Sequence, residues 1–334
     1  MQIAFLLILA FFAAVAAVDY YPNTKLRGMS GFAQKGRTTG GSTGPVIYVN
    51  NLEDLKQHIS NPASQTLLIT TNIHSPKKVR LLLGANKSII GSWKANIINN
   101  VYFETTPSKS SNIIFQNLIF LHNVENIDNS DTQLILDHGE RYWIDHCTFD
   151  GKNVNEKDLG KLLKVSTVNF VTISYCKFVN HFYGLILGYP SDDPADIAMN
   201  NNYPRLTIMF NYFENINARA PGLMRFGKFH VYNNYINNCR LGFTIGTQCK
   251  IFSENNYFTE ASKDVLDDKG TGFFKDAGSI NMPLRQNSKV DKWRPSSDYH
   301  YSVKTPDYSR DFCTQFSGAQ SQKLHFVPDH KKCY

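Results

Sequence analysis

Six segments of the chain carry one motif in one phase. NIIFQNLIF, YWIDHCTFD, VTISYCKFV, LTIMFNYFE, FHVYNNYIN and FSENNYFTE each alternate β-branched or aromatic residues, then place Asn or Cys, one further residue, and Phe or Ile. The Asn/Cys position falls at Asn117, Cys147, Cys176, Asn211, Asn234 and Asn256, at intervals of 30, 29, 35, 23 and 22 residues. Two places later come Ile119, Phe149, Phe178, Phe213, Ile236 and Phe258. A period of roughly 20 to 35 residues with short strands and no clear helices reads as a solenoid. One coil cannot bury its apolar face alone, so neighbours must stack. Stacked strands lie about 4.8 Å apart, which puts equivalent residues on top of one another. Asparagines in register then form a ladder of side-chain amides, and the Phe/Ile positions form an apolar stack inside. A β-sandwich also has many short strands, but it gives no reason for Asn at one offset in successive units.

Earlier strands and a short helix are expected in VIYVNNLEDL, TLLITTNI and NKSIIGS, and the pattern fades after about Phe274. Coils are therefore expected over residues 45–274, in a single domain of residues 18–334, with the Pro-, Asp-, Ser- and Tyr-rich tail packed outside. Residues 2–18 are an uncharged apolar run ending in Ala14-Val15-Ala16-Ala17. That run is short for a membrane span and sits at the N-terminus, so residues 1–17 read as a cleaved secretory signal rather than an anchor. No later segment reads as a membrane span. The formal net charge of +7 points to a polyanionic partner. Nucleic acid is one such partner, although no helix-turn-helix, zinc finger or aromatic-basic motif supports it; acidic cell-wall sugar is another, and a basic surface that serves only solubility fits the composition equally.

Six cysteines in a secreted chain suggest disulfides. Cys239 with Cys249 and Cys313 with Cys333 are candidate local pairs. Cys147 and Cys176 occupy one place in consecutive coils, where a disulfide and two buried thiols are both compatible with the spacing. Asn86-Lys87-Ser88 is a glycosylation sequon whose use depends on its exposure.

GFAQKGRTTGGSTGPVIYVNNLEDL at 31–55, NKSIIGS, YWIDHCTF, VTISYCKFVNH, ARAPGLMRFGKFHVYNNY at 218–235 and ENNYF, taken as an ordered set, resemble the pectate lyase family, which includes pectin lyases. The resemblance runs from about residue 30 to 260. It implies an all-β, right-handed parallel β-helix and β-elimination on polygalacturonate or pectin. A base takes the C5 proton and positive charge steadies the adjacent carboxylate; in pectate lyases Ca²⁺ supplies much of that charge.

The resemblance also assigns residues. Arg219 matches the proposed base, although an arginine accepts a proton only where neighbouring positive charge crowds it. Arg225 matches the substrate-binding arginine, whose guanidinium fork suits a carboxylate. It stands six residues after Arg219, where the family has five, so a bulge is expected near residues 222–224. Tyr183 stands where the family has a lysine. For Ca²⁺, Asp128 and Asp131 match the first pair of acids. The second pair falls in Gly160-Lys161-Leu162-Leu163-Lys164, where both acids are missing and Lys164 takes the second position, so a complete calcium cage is not expected. Lys164 is then a candidate to supply the missing metal charge. Asp145 and His146 are expected to brace neighbouring coils rather than to act in acid–base chemistry.

Three functions compete. The first is a monomeric, secreted lyase on acidic polysaccharide. The second is a carbohydrate-binding protein that kept the fold and lost the chemistry. The third, a glycoside hydrolase, needs clustered aspartates, and acids are sparse near Arg219. Retained Arg219 favours the first; the replaced lysine and acids favour the second.

Overall fold

The computed structural model describes residues 28–321, except Asp192 and Asn201. Its strands pair in parallel and form a ten-stranded and a 13-stranded sheet. The ten-stranded sheet starts at Val46–Val49 and ends at Phe273–Ala277, with each successive coil adding one strand. The solenoid expected from the repeat is thus the fold found, and it is the right-handed parallel β-helix that the family resemblance implies. The residue alternation sets the register. Ile144 pairs with Ile173, Ile173 with Ile208, and Ile208 with Val231, and all four are buried in one continuous core.

The amide ladder is present. Asn211 Nδ2 donates to Asn234 Oδ1 and Asn234 Nδ2 to Asn256 Oδ1, both at 2.9 Å. The same carbonyl oxygens accept the backbone N–H of Asn211 and of Asn234, and Asn211 Oδ1 accepts that of Cys176 at 2.8 Å. Inside, Phe120, Phe149, Phe178 and Phe213 stack with centroids 4.7, 5.0 and 5.0 Å apart.

The first rung differs by one residue from the sequence reading. Phe120, not Ile119, pairs with Phe149, and Ile119 pairs with Thr148. Asn117 is a left-handed turn residue (φ 57°), as are His146 and Tyr175 in the next two coils. A one-residue slip exchanges the two faces of a strand, so the matching Asn was out of phase with the pleat. Asn117 instead clamps the tail, accepting from Gln320 N at 2.7 Å and donating to Ser92 O at 2.9 Å.

Among the described residues no cysteine pair is formed. Cys147, Cys176, Cys239, Cys249 and Cys313 are buried free thiols. Cys147 and Cys176 point to backbone carbonyls of Asp145 and Ser174 at 3.4 and 3.3 Å. Cys239 precedes a strand of the larger sheet and Cys249 a strand of the smaller one, which separates them. Cys313 sits on helix Pro306–Phe316, packed with Tyr175, Phe210 and Tyr232 on the outside of the coils; Cys333 and the signal segment lie outside the described residues. The sequon is built into a turn: Asn86 is half-buried and accepts from Asn112 Nδ2 at 2.8 Å, and Ser88 is buried. Beside it, the buried Lys87 ammonium donates to the carbonyls of Asn61, Ala63 and Ala85, and burial lowers its pKa to about 8.

Two outcomes are expected. Asn234→Ala strands buried polar groups above and below it, and should cost about 3 kcal/mol in a denaturant titration, since each unsatisfied group costs roughly 1–3 kcal/mol. A reducing agent should leave the unfolding midpoint unchanged; a marked drop would reveal a disulfide that stabilises the fold.

Candidate active site

The sequence-predicted residues gather on the outer face of the larger sheet, where strand Tyr212–Met224 crosses the end of the Tyr183 strand. Tyr183 pairs with Ala218, and pairing resumes at Ile186 with Leu223. Against the next coil the register shifts between Ala218 and Gly222. The bulge therefore holds Arg219, Ala220 and Pro221, a few residues earlier than the insertion near residues 222–224 predicted. Pro221 has no N–H to give to the ladder, which confines it to a bulge or an edge. Arg219 takes a left-handed conformation there (φ 72°). Gly184 allows the close approach, because a Cβ at that position would collide with the Arg219 carbonyl oxygen.

The Arg219 guanidinium carbon sits 4.4 Å from the Tyr183 ring centroid, a cation–π contact. No carboxylate among the described residues pairs with it. Burial lowers its pKa from the ordinary arginine value; Tyr183 opposes the shift and Arg225 adds to it. Arg225 is half-buried just beyond the strand, its N–H on Leu187 O at 2.9 Å. Gly188 (φ +104°) packs against its backbone.

Lys164 lies on the same face, in register with Ile135 and Ile186, and its ammonium is 3.3 Å from Asp137 Oδ2. The lysine beside Tyr183 and Arg219 is Lys161, which the sequence reading passed over. Its ammonium holds the Asn129 side-chain oxygen at 2.8 Å and stands 5.7 Å from the Tyr183 ring centroid. Burial lowers its pKa and the Arg219 charge adds to the shift. Tyr183 is thus flanked by two cations, which makes it a support for Arg219 more than an open sugar platform. The only sequence signal for Lys161 was its place in the same phrase as Lys164.

Asp128 and Asp131 are close together but already neutralised. The Asp131 carboxylate is fully buried, with Lys78 Nζ at 2.8 Å and Arg80 Nη2 at 2.9 Å on Oδ1, and Asn126 Nδ2 at 2.7 Å on Oδ2. Asp128 is half-buried, 3.6 Å from the same Lys78. Its pKa is lowered, first by hydrogen bonds from Ser130. Two side-chain cations thus occupy the place beside these acids where a divalent ion would go. Among the described residues no three His, Cys, Asp or Glu side chains converge on one point. This donor set does not fit the calcium site that the resemblance implies. Lys78 and Arg80 come from strand Ile73–Leu83, some fifty residues away in sequence, where a register shift between His74 and Val79 turns Lys78 toward the acids.

Asp145 and His146 are buried in a bracing network. Asp145 accepts from Ser174 Oγ at 2.7 Å and from Gln116 Nε2 at 2.9 Å, and the His146 ring lies 2.9 Å away. Behind the cleft His122 and His181 face each other with ring centroids 5.0 Å apart. Burial lowers both pKa values, that of His181 to about 3, with the His122 charge adding to the shift. The unfolded chain takes up protons near pH 6.5 that the folded one refuses. Stability should therefore fall as pH drops below about 6.5, and for His181 on toward 3, by up to roughly 1.4 kcal/mol per pH unit for that histidine. Denaturant midpoints between pH 7 and pH 4 should show this limb in the wild type and a shallower one in His181→Leu.

The pectate lyase family matches residues 10–322. A pectin lyase of Bacillus subtilis is 45% identical over 327 residues, covering 94% of this chain and 93% of that one. A pectin lyase of Pseudomonas marginalis is 44% identical, covering 92% and 99%. Among solved structures, a pectate lyase bound to a hexasaccharide superposes with a TM-score of 0.72 at 20% identity, over 89% of this chain and 99% of that one. A Bacillus sp. N165 pectate lyase in complex with trigalacturonate gives 0.70 at 24%, over 87% and 99%.

Proposed function

Because the chain belongs to the pectate lyase family, we propose that it is a secreted, monomeric lyase that cleaves pectin by β-elimination with Arg219 as the base. The observation that carries this reading is a half-buried arginine held in a bulge of the larger sheet, with no acid among the described residues paired to it and its pKa lowered by burial and by Arg225. In the reaction Arg219 takes the proton from C5 of a uronate. The electron pair left behind forms the C4–C5 double bond as the C4–oxygen bond breaks, and the leaving oxygen is protonated. Charge developing on the C5 carboxyl group is met by Arg225 and Lys164, fixed in place before the substrate arrives. Lys161, a few ångströms from the Tyr183 ring, adds to the positive field that disfavours the protonated form of Arg219. No step is assigned to calcium.

Methylated pectin is the favoured substrate. The pectin lyases named above support it, and so does the outer column around Lys164. There Ile135, Ile186 and Leu223 follow in register and give apolar contact suited to methyl esters. A sugar-binding protein without catalysis is the second reading, favoured by Tyr183 in place of the family's lysine.

Ultraviolet absorbance of the unsaturated product separates the two. Wild-type protein should generate it from methylated pectin at neutral to alkaline pH, and Arg219→Ala should lower kcat by about 10²–10⁴-fold, the range for loss of a general base. Lys164→Ala should lower kcat/KM by at least about tenfold, as expected for a charge-assisted contact. Absence of product from folded wild-type protein would move the assignment to binding alone, and an unimpaired Arg219→Ala would remove that residue from the chemistry.

A further inference from the structure

We infer that a second hollow beside Arg219, carrying Arg240 and Lys263, binds an unesterified uronate of the same polysaccharide chain; the identity of that chain rests on the lyase reading above. The hollow has a volume of about 250 Å³ and is lined by Val154, Asn215, Asn217, Asn238, Arg240 and Lys263 among others. Asn217 precedes Arg219 by two residues on one strand, so the two share a face about 7 Å apart. Ala218 pairs with Leu241, and Leu241 with Asp264. Asn217, Arg240 and Lys263 therefore follow one another coil by coil, about 4.8 Å per step. They form a line that leads away from the reacting centre.

Charge distinguishes this line from the rest of the face. Lys78 and Arg80 are spent on Asp131, and Lys164 lies against Asp137. Arg240 and Lys263 are exposed, and among the described residues neither makes an ion pair or a side-chain hydrogen bond. Beneath them runs a second amide ladder at left-handed turn positions. Asn238 Nδ2 donates to Asn215 Oδ1 at 2.8 Å, and Asn215 Nδ2 to Asn180 Oδ1 at 3.3 Å. Amides held by their own ladder are oriented before a ligand arrives, so less ordering is needed on binding.

Two free cations over fixed amides match a carboxylate flanked by hydroxyls. A neutral sugar would leave both cations unused. A nucleic acid strand would need stacking rings, and the lining has none. The next hollow along the sheet is lined by Asp264, Asp267 and Asp268 with Arg285, and Lys269 pairs with Asp267, so the run of unpaired cations does not continue beyond Lys263 and the subsite has an end. A methyl ester carries no charge, so this subsite selects chains that are only partly esterified.

The test is Arg240→Ala/Lys263→Ala, two exposed positions whose replacement should leave the melting temperature unchanged. On partly esterified pectin KM should rise about tenfold, equivalent to about 1.4 kcal/mol, while on fully esterified pectin it stays within about twofold. Calorimetry with hexagalacturonate and the Arg219→Ala protein gives a readout independent of turnover: adding the two substitutions should weaken binding about tenfold. Unchanged KM on the partly esterified substrate together with unchanged hexagalacturonate affinity overturns the subsite. Equal losses on both pectins would also overturn it, because they would show that charge is not what it recognises. If the wild type releases no unsaturated product but the calorimetric loss is seen, the lyase reading fails and the subsite stands.

Discussion

Every feature of this molecule depends on stacking coils in strict register. Parallel strands about 4.8 Å apart place like residues over like, and the buried Asn211–Asn234–Asn256 ladder holds that register by tying side-chain amides to one another and to the backbone. A slip by one residue would put the phenylalanine stack on the surface and break every rung. The same rule governs the outside. Residues on one face of successive coils line up in columns, and the cleft is made of such columns interrupted once by the bulge at Arg219.

The charge in the cleft follows from that geometry. A calcium-based site gathers acids to hold an ion that then meets the substrate. Here Asp131 is neutralised from within the chain by Lys78 and Arg80. In the proposed reaction Arg219, against which no described carboxylate lies, faces the substrate together with Arg225 and Lys164. Fixed cations in a partly buried cleft stabilise developing negative charge without reorganising at the moment of reaction. Burial, with Arg225 adding to it, lowers the cost of an unprotonated Arg219, as the proposed role of base requires.

Much of this was legible in the sequence, for local reasons. The repeat specified the solenoid because strand alternation and ladder residues recur in each coil. Arg219, Arg225 and the replaced acids stood out within short phrases. What could not be read came from contacts across coils. Lys78 and Arg80 reach Asp131 from a strand some fifty residues earlier. Lys161 reaches the Tyr183 ring only because the strand ends meet there. The phase of Asn117 could not be told from residue type, since an asparagine serves equally as a ladder rung or as a left-handed turn residue. The even cysteine count suggested bridges, yet five of the thiols are core residues, consistent with free cysteine behaving as a small apolar side chain.

In the proposed mechanism side-chain cations, and not a metal ion, supply the positive charge. The most direct measurement is the initial rate of unsaturated product formation from methylated pectin, across a titration from excess chelator to millimolar Ca²⁺. The account predicts a rate that stays flat across the whole range. A rate that collapses in chelator and is restored by Ca²⁺ would contradict it.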